Sequence, residues 1–214
     1  ELGLPDPDFH LDAGSGTHAG QTGAIMAGVE RVLAREKPEF ALVQGDTNTV
    51  LAGALAAAKC SVRRREPGDR LRPVRVGHVE AGLRSLDRSM PEEINRIVAD
   101  HLADACFAPT GGARANLLRE GIPGEKIHVT GNTIVDAVRE NLALSAGKGD
   151  LPGGMGLREK GYCRLTLHRP ENVDDPARLA LYHGAVRGGV FRHLLRRHVV
   201  GAAFLCRGRP HRPG

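Results

Sequence analysis

Three carboxylates and one imidazole in this 214-residue chain stand where they could act on a common substrate: Asp46, Glu80, Glu92 and His168. Asp46, Glu80 and His168 each follow a short apolar run, and Glu92 follows a proline that suits the first position of a helix. In an open parallel sheet, ligands bind at the carboxyl ends of the strands, so the first three would lie on one edge, with Glu92 starting a helix nearby. Carboxyl groups and an imidazole gathered in this way can serve as general acids and bases. Each also has a purely structural reading. Asp46 before Thr47 could cap a helix, Glu92 could complement a helix dipole, and His168 could be a buried strand-end histidine. Arg84, Arg96 and Arg169 lie near these acids in sequence. They could hold a phosphate bidentately or pair with the carboxylates and keep the cluster neutral.

Other chemistries lose support. His78-Val79-Glu80 has the H-x-E half of a zinc deaminase signature, but no P-C-x-x-C follows, so no metal is expected. No G-x-G-x-x-G follows a strand and no Walker loop is present, which argues against a dinucleotide enzyme or an NTPase. The four cysteines are widely spaced, with no C-x-x-C pair, and fit a reducing cytoplasm better than a secreted disulfide framework.

The elements that must position these residues follow a βα rhythm. A strand over Phe40 to Gln44 breaks at Gly45-Asp46-Thr47 into a small-residue helix from Thr49 to Lys59. A strand around Val74 to Val79 runs into Glu80-Ala81-Gly82-Leu83-Arg84, and Pro91 opens a helix with Glu92 and Glu93 in its first turn. Strands at 105–108 and 126–130 alternate with helices at 113–120 and 133–144. The Gly- and Pro-rich stretch 145–154 reads as the core of an interdomain linker, and a new strand follows at 162–167. Two stretches fit poorly: 63–75, with six arginines, and everything after about Leu179.

Composition agrees with an α/β protein. Aromatics make up 3% of the chain and tryptophan is absent, so the core must come from Val, Leu, Ile and Ala, as in open parallel sheets. No apolar run approaches the roughly 20 residues of a membrane span, so no membrane partner is expected. The net charge of +5 is a property of the end of the chain: residues 176–214 hold eight arginines and no acid, and without them the balance is −3. No specific nucleic-acid partner is implied, although such a basic tail could bind nucleic acid nonspecifically and with strong salt dependence.

Five motifs then become specific in combination: Val43-Gln-Gly-Asp-Thr47, Gly77-His-Val-Glu-Ala-Gly-Leu-Arg-Ser85, Pro91-Glu-Glu-Ile-Asn-Arg96, Gly131-Asn-Thr133 and Leu165-Thr-Leu-His-Arg169. In type and order they resemble the non-hydrolysing UDP-N-acetylglucosamine 2-epimerase family, over about Pro5 to Asp175. The resemblance implies a fold like that of the GT-B glycosyltransferases, two Rossmann-like halves with a UDP-sugar bound between them. It also implies cofactor-free inversion at C2 through a 2-acetamidoglucal intermediate, cytoplasmic action in polysaccharide synthesis, and a homodimer. By the same matching Asp46, Glu80, Glu92 and His168 are catalytic, with the acid and base roles left open among the carboxylates, and Arg84, Arg96, Asn132 and Arg169 bind substrate. The expected organisation is most of a first Rossmann-like domain over 1–144, a linker over 145–160, the start of a second domain over 161–179 and an aberrant basic tail over 180–214.

The sequence also departs from the family. The resemblance includes an early Gly-Thr-Arg-Pro-Glu phosphate loop and a later Asp-Ser-Gly-Gly loop, and neither occurs here. The chain therefore reads as a partial copy, expected to be marginally stable. A hydrolysing relative that releases N-acetylmannosamine and UDP, and an inactive fragment, stay open as alternatives.

Overall fold

The structure, a computed structural model, describes residues 5–63, 70–147, 149–157, 162–167, 175–178 and 202–207. The chain divides into two compact units, residues 1–141 and 142–214.

The first unit opens with helix α1, His18–Glu36. Thr17 caps its start by accepting the Gly20 N–H at 3.2 Å, and Lys37 ends it in the left-handed conformation with its N–H on the Leu33 carbonyl. This helix lies before the first element that the βα rhythm identifies. Its glycines dilute the apolar period, and one of them serves packing: a Cβ on Gly28 would come 3.1 Å from a Leu11 methyl.

Strand β1, Phe40–Gln44, leads to helix α2, Asn48–Lys59. β2, Ser61–Arg63, then pairs antiparallel with β3, Leu71–Pro73. The ends of the arginine-rich stretch are thus an antiparallel ribbon; residues 64–69 lie outside the described residues. Then come β4 (Arg75–Val79), α3 (Pro91–Leu102), β5 (Ala105–Ala108), α4 (Gly111–Arg119), a 3-10 turn at Gly124–Lys126, β6 (Ile127–Val129) and α5 (Thr133–Ala146). The main sheet is parallel with strand order β1-β4-β5-β6. This is the α/β, Rossmann-like parallel sheet that the sequence calls for.

Small side chains allow the layers to approach closely. Ala52, Ala54 and Ala57 of α2 are fully buried and Gly53 faces Val43 of β1, where an added Cβ would come 3.0 Å from a valine methyl. The core continues through Val76, Ala81, Ala99, Cys106, Ala108 and Leu117. At about 25 cal/mol per Å² of apolar surface removed from water, such a core depends on closeness of fit more than on large side chains.

In the second unit the described elements are a short helix α6, Leu151–Gly154, and strands β7 (Tyr162–Leu167) and β8 (Ala202–Arg207), paired antiparallel. β8 falls within the stretch expected to be an aberrant tail: the arginines around it obscure the strand-forming run Ala202-Ala-Phe-Leu-Cys206. Among the described residues no helix is long and apolar enough to cross a membrane.

Candidate active site

Register sets the first contact. Gln44 of β1 stands opposite Val79 of β4, so the residues just beyond the two strands, Gly45-Asp46 and Glu80, emerge side by side at the carboxyl edge. Gly45 turns the chain with φ +85°, a conformation suited to glycine, while its N–H still reaches the Val79 carbonyl at 3.1 Å. Glu80, at φ +70°, brings its Oε2 to 3.7 Å from the place a Cβ on Gly45 would occupy.

Helix α3 closes the site from the side. Pro91 fixes its first turn, with Glu92 and Glu93 near the helix's positive end. One turn on, Asn95 donates to the Asp46 carbonyl at 2.8 Å, and the Arg96 Nη2 is hydrogen-bonded to the Asp46 carboxylate. Glu92 precedes Arg96 by four residues and so shares its helix face. Asp46, Glu80, Glu92 and Arg96 are therefore brought to one edge. The side chains of Asp46 and Arg96 are 32% and 17% exposed, enough to meet a ligand. Glu80 and Glu92 form no ion pair with a described residue.

The remaining expected residues are placed differently. The Arg84 side chain is 3% exposed, and its donors are engaged within the protein chain: Nε and Nη2 on Glu120 at 2.7 and 2.5 Å, Nη2 also on Asp100 at 2.7 Å, and Nη1 on the Leu83 carbonyl. Of the two readings of Arg84 in the sequence, pairing with carboxylates describes these contacts, although its partners are Asp100 and Glu120 and not the acids of the edge. Asn132 accepts the Ile134 N–H at 3.0 Å at the start of α5, the contact of a helix cap. His168 and Arg169 lie outside the described residues.

Behind the edge is a set of buried polar groups that the sequence reading did not single out. Glu93, 1% exposed, accepts the N–H groups of Ser85 and Leu86 and the Arg96 guanidinium. Burial alone would raise its pKa, but these donors outweigh burial and hold it below the ordinary glutamate value. Arg96 moves the other way, its charge favoured by Glu93 and Asp46 against the cost of burial. Arg84 is likewise held more firmly charged, with Glu120 and Asp100 overcoming desolvation.

Asp100 is fully buried. It accepts from Gly82 N–H at 3.1 Å and Arg84 at 2.7 Å, and its Oδ1 stands 2.6 Å from Nδ1 of the equally buried His78. The other ring nitrogen of His78 lies 2.8 Å from the Gly45 carbonyl. The signal was available in part: positions 93, 96 and 100 of α3 are all charged and fall on one helical face. Charges on a helix are usually read as its solvated side. Cys106, buried beside this set, has its thiol pushed up to about 12 by burial and by Asp100, so it is not a nucleophile at neutral pH.

Taken together, the edge offers a carboxylate held by a guanidinium and two carboxylates without an ionic partner among the described residues, backed by hydrogen-bonded buried polar groups. Such unlike settings are what separate acid from base roles among chemically similar groups.

Known proteins resemble this chain in sequence and fold. The sequence model of a family described as UDP-N-acetylglucosamine 2-epimerase matches residues 1–188. A protein of that name from Methanocaldococcus jannaschii is 50% identical over 181 residues, covering 84% of this chain and 46% of that protein. A UDP-2,3-diacetamido-2,3-dideoxy-D-glucuronate 2-epimerase from Pseudomonas aeruginosa is 41% identical over 179 residues, 84% of this chain and 46% of that protein. Among solved structures, the M. jannaschii UDP-GlcNAc 2-epimerase in complex with UDP-GlcNAc and UDP superposes with TM-score 0.70 at 46% identity, over 85% of this chain and 47% of that one. These structural relatives have a GT-B-like fold. The chain spans about half the length of the relatives it matches, and it belongs to the UDP-N-acetylglucosamine 2-epimerase family.

Proposed function

We propose that this site serves the interconversion of UDP-N-acetylglucosamine and UDP-N-acetylmannosamine without a metal or cofactor. The observation that supports it most directly is the meeting of Asp46, Glu80 and Glu92 at one sheet edge, where, among the described residues, only Asp46 is held by an arginine. The C2 proton of the sugar is weakly acidic. One carboxylate takes it as the C1–O bond to UDP breaks and the C1=C2 bond of 2-acetamidoglucal forms. A second acid returns a proton to the opposite face as UDP adds back to C1. His168 and Arg169, carried by the family motif, act beside the departing diphosphate in this reading, the imidazole stabilising charge as it develops.

The choice of sugar is supported by identity: relatives named for UDP-N-acetylglucosamine match at 49% and 50%, against 41% for the diacetamido-glucuronate enzyme. Family membership also supports a cytoplasmic homodimer that feeds polysaccharide synthesis. In the same reading, residues 1–144 supply most of the first Rossmann-like domain and residues from 161 open the second.

Incubation with UDP-N-acetylglucosamine in deuterated water tests the chemistry. Deuterium is expected at C2, and Asp46→Asn or Glu92→Gln lowers its incorporation by about 10²- to 10⁴-fold with folding retained. Absence of label from the unaltered chain overturns the reading. Free N-acetylmannosamine among the products, in place of the UDP-sugar, assigns the hydrolysing reaction instead.

A further inference from the structure

His78 takes no part in the chemistry above, yet it is fully buried and directly linked to the edge that performs it. A carbonyl oxygen only accepts, so the ring Nε2, 2.8 Å from the Gly45 oxygen, donates to it. The ring Nδ1 stands 2.6 Å from Oδ1 of the Asp100 carboxylate, whose other oxygen accepts from Gly82 N–H and from Arg84, so Asp100 holds the ring from its second side. The donor role of Nε2 follows from the hydrogen-bond network.

The Gly45 carbonyl belongs to the peptide that joins Gly45 to Asp46. At that point the chain has left β1 and has not yet begun α2, so neither ladder nor helix supplies a donor for it. Three bonds then fix the corner: Gly45 N–H to Val79, the Gly45 carbonyl to His78, and the Asp46 carbonyl to Asn95. His78 is in turn linked through Asp100 and Arg84 to Glu120 at the end of α4.

We propose that His78 is a positioning residue: its bond to the Gly45 carbonyl sets the place of the Asp46 carboxylate for proton transfer at C2. This rests on the function proposed above. The inference deepens that function by assigning a buried side chain that never touches the substrate.

Two substitutions separate positioning from filling space. In His78→Gln the amide nitrogen reaches the place of Nε2 and keeps the donor to Gly45. In His78→Asn it reaches only the place of Nδ1 and keeps the contact with Asp100. NMR of the full chain, reading the backbone resonances of Gly45 and Asp46 and the Asp46 carboxyl carbon, is expected to move these signals in His78→Asn and leave them closer to wild type in His78→Gln. C2 deuterium incorporation falls by about 10²-fold in His78→Asn, in kcat and not in KM, because a misplaced group loses transition-state contacts. His78→Gln restores about tenfold of that loss, the worth of one recovered hydrogen bond.

The unaltered protein supplies an independent readout if either variant fails to fold: a His78 Nε2–H slow to exchange with solvent, with a nuclear Overhauser contact to the Asp46 amide. Its absence overturns the assignment, as do wild-type resonances and incorporation in His78→Asn, or equal losses in both variants. If the unaltered chain incorporates no deuterium, the proposed function falls, while the NMR comparison still decides the role of His78.

Discussion

Glu93 and Glu92 are adjacent in sequence but have different fates. Glu92 remains at the edge without an ionic partner among the described residues, while Glu93 turns inward and accepts two backbone N–H groups and Arg96. Replacing Glu93 with Gln puts an amide where one of those donors points, and should cost about 2–3 kcal/mol at neutral pH, measured by urea unfolding. The pH dependence has a definite sign. Because the native pKa lies below the ordinary value of about 4.3, the contribution is complete above that value and is lost as pH falls through the depressed native pKa. The stability gap between wild type and Glu93→Gln should therefore close on acidification below about pH 4.3, and a gap unchanged by acid would remove the carboxylate from this role. The pairing of Asp46 with Arg96 was one of two readings open in the sequence. The inward turn of Glu93 was hidden because a buried carboxylate and a solvated one look alike until their donors are placed.

Two glycines show how an element's surroundings set the cost of a side chain. Gly82 follows β4 with φ +80°, and a Cβ there would run into the Ala113 carbonyl of α4 and a Leu117 carbon. Gly131 precedes α5 with φ +82°, but a Cβ there would have nothing within 4 Å. Gly82→Ala should cost about 2–4 kcal/mol, combining backbone strain with overpacking, and Gly131→Ala only about 1 kcal/mol. Thermal or urea unfolding of both variants checks the contrast, and equal costs would refute it. At this scale the sequence was most legible where period and punctuation agreed. Gly45 ends β1, Pro91 starts α3, and the Ala-rich α2 packs as a small-residue helix should. It was least legible at α1, where glycines dilute the period, and at β2 and β3, where arginines obscure a short ribbon held by backbone bonds.

At the scale of the whole molecule, apolar surface among the described residues is unevenly distributed. β1 lies at the end of the sheet order, with Leu42 66% exposed on a face it shares with Phe40 and Phe107 over Gly77. Helix α5 has no buried residue among those described and exposes Ile134, Val135, Val138 and Leu142. An edge strand that offers both backbone donors and a leucine favours self-association. Sedimentation velocity should show association rising with concentration, weakened in Leu42→Lys; a chain that stays monomeric at every concentration would contradict this. No stretch of the sequence marks β1 as the last strand, because which strand ends a sheet depends on strand order and not on any local pattern.

The backbone at Glu80 has a consequence of another kind. A left-handed conformation costs a side-chain-bearing residue about 1–2 kcal/mol, and glycine or asparagine would occupy that corner at less expense. Glu80 nonetheless stands there at φ +70°. The protein thus carries stored conformational energy at its candidate site, and the residue that would best suit the fold at position 80 is not the one that, in the function proposed above, supplies a proton-transferring group. On that proposal thermostability and turnover are opposed at this position, and selection of variants for heat resistance alone would tend to remove the carboxylate.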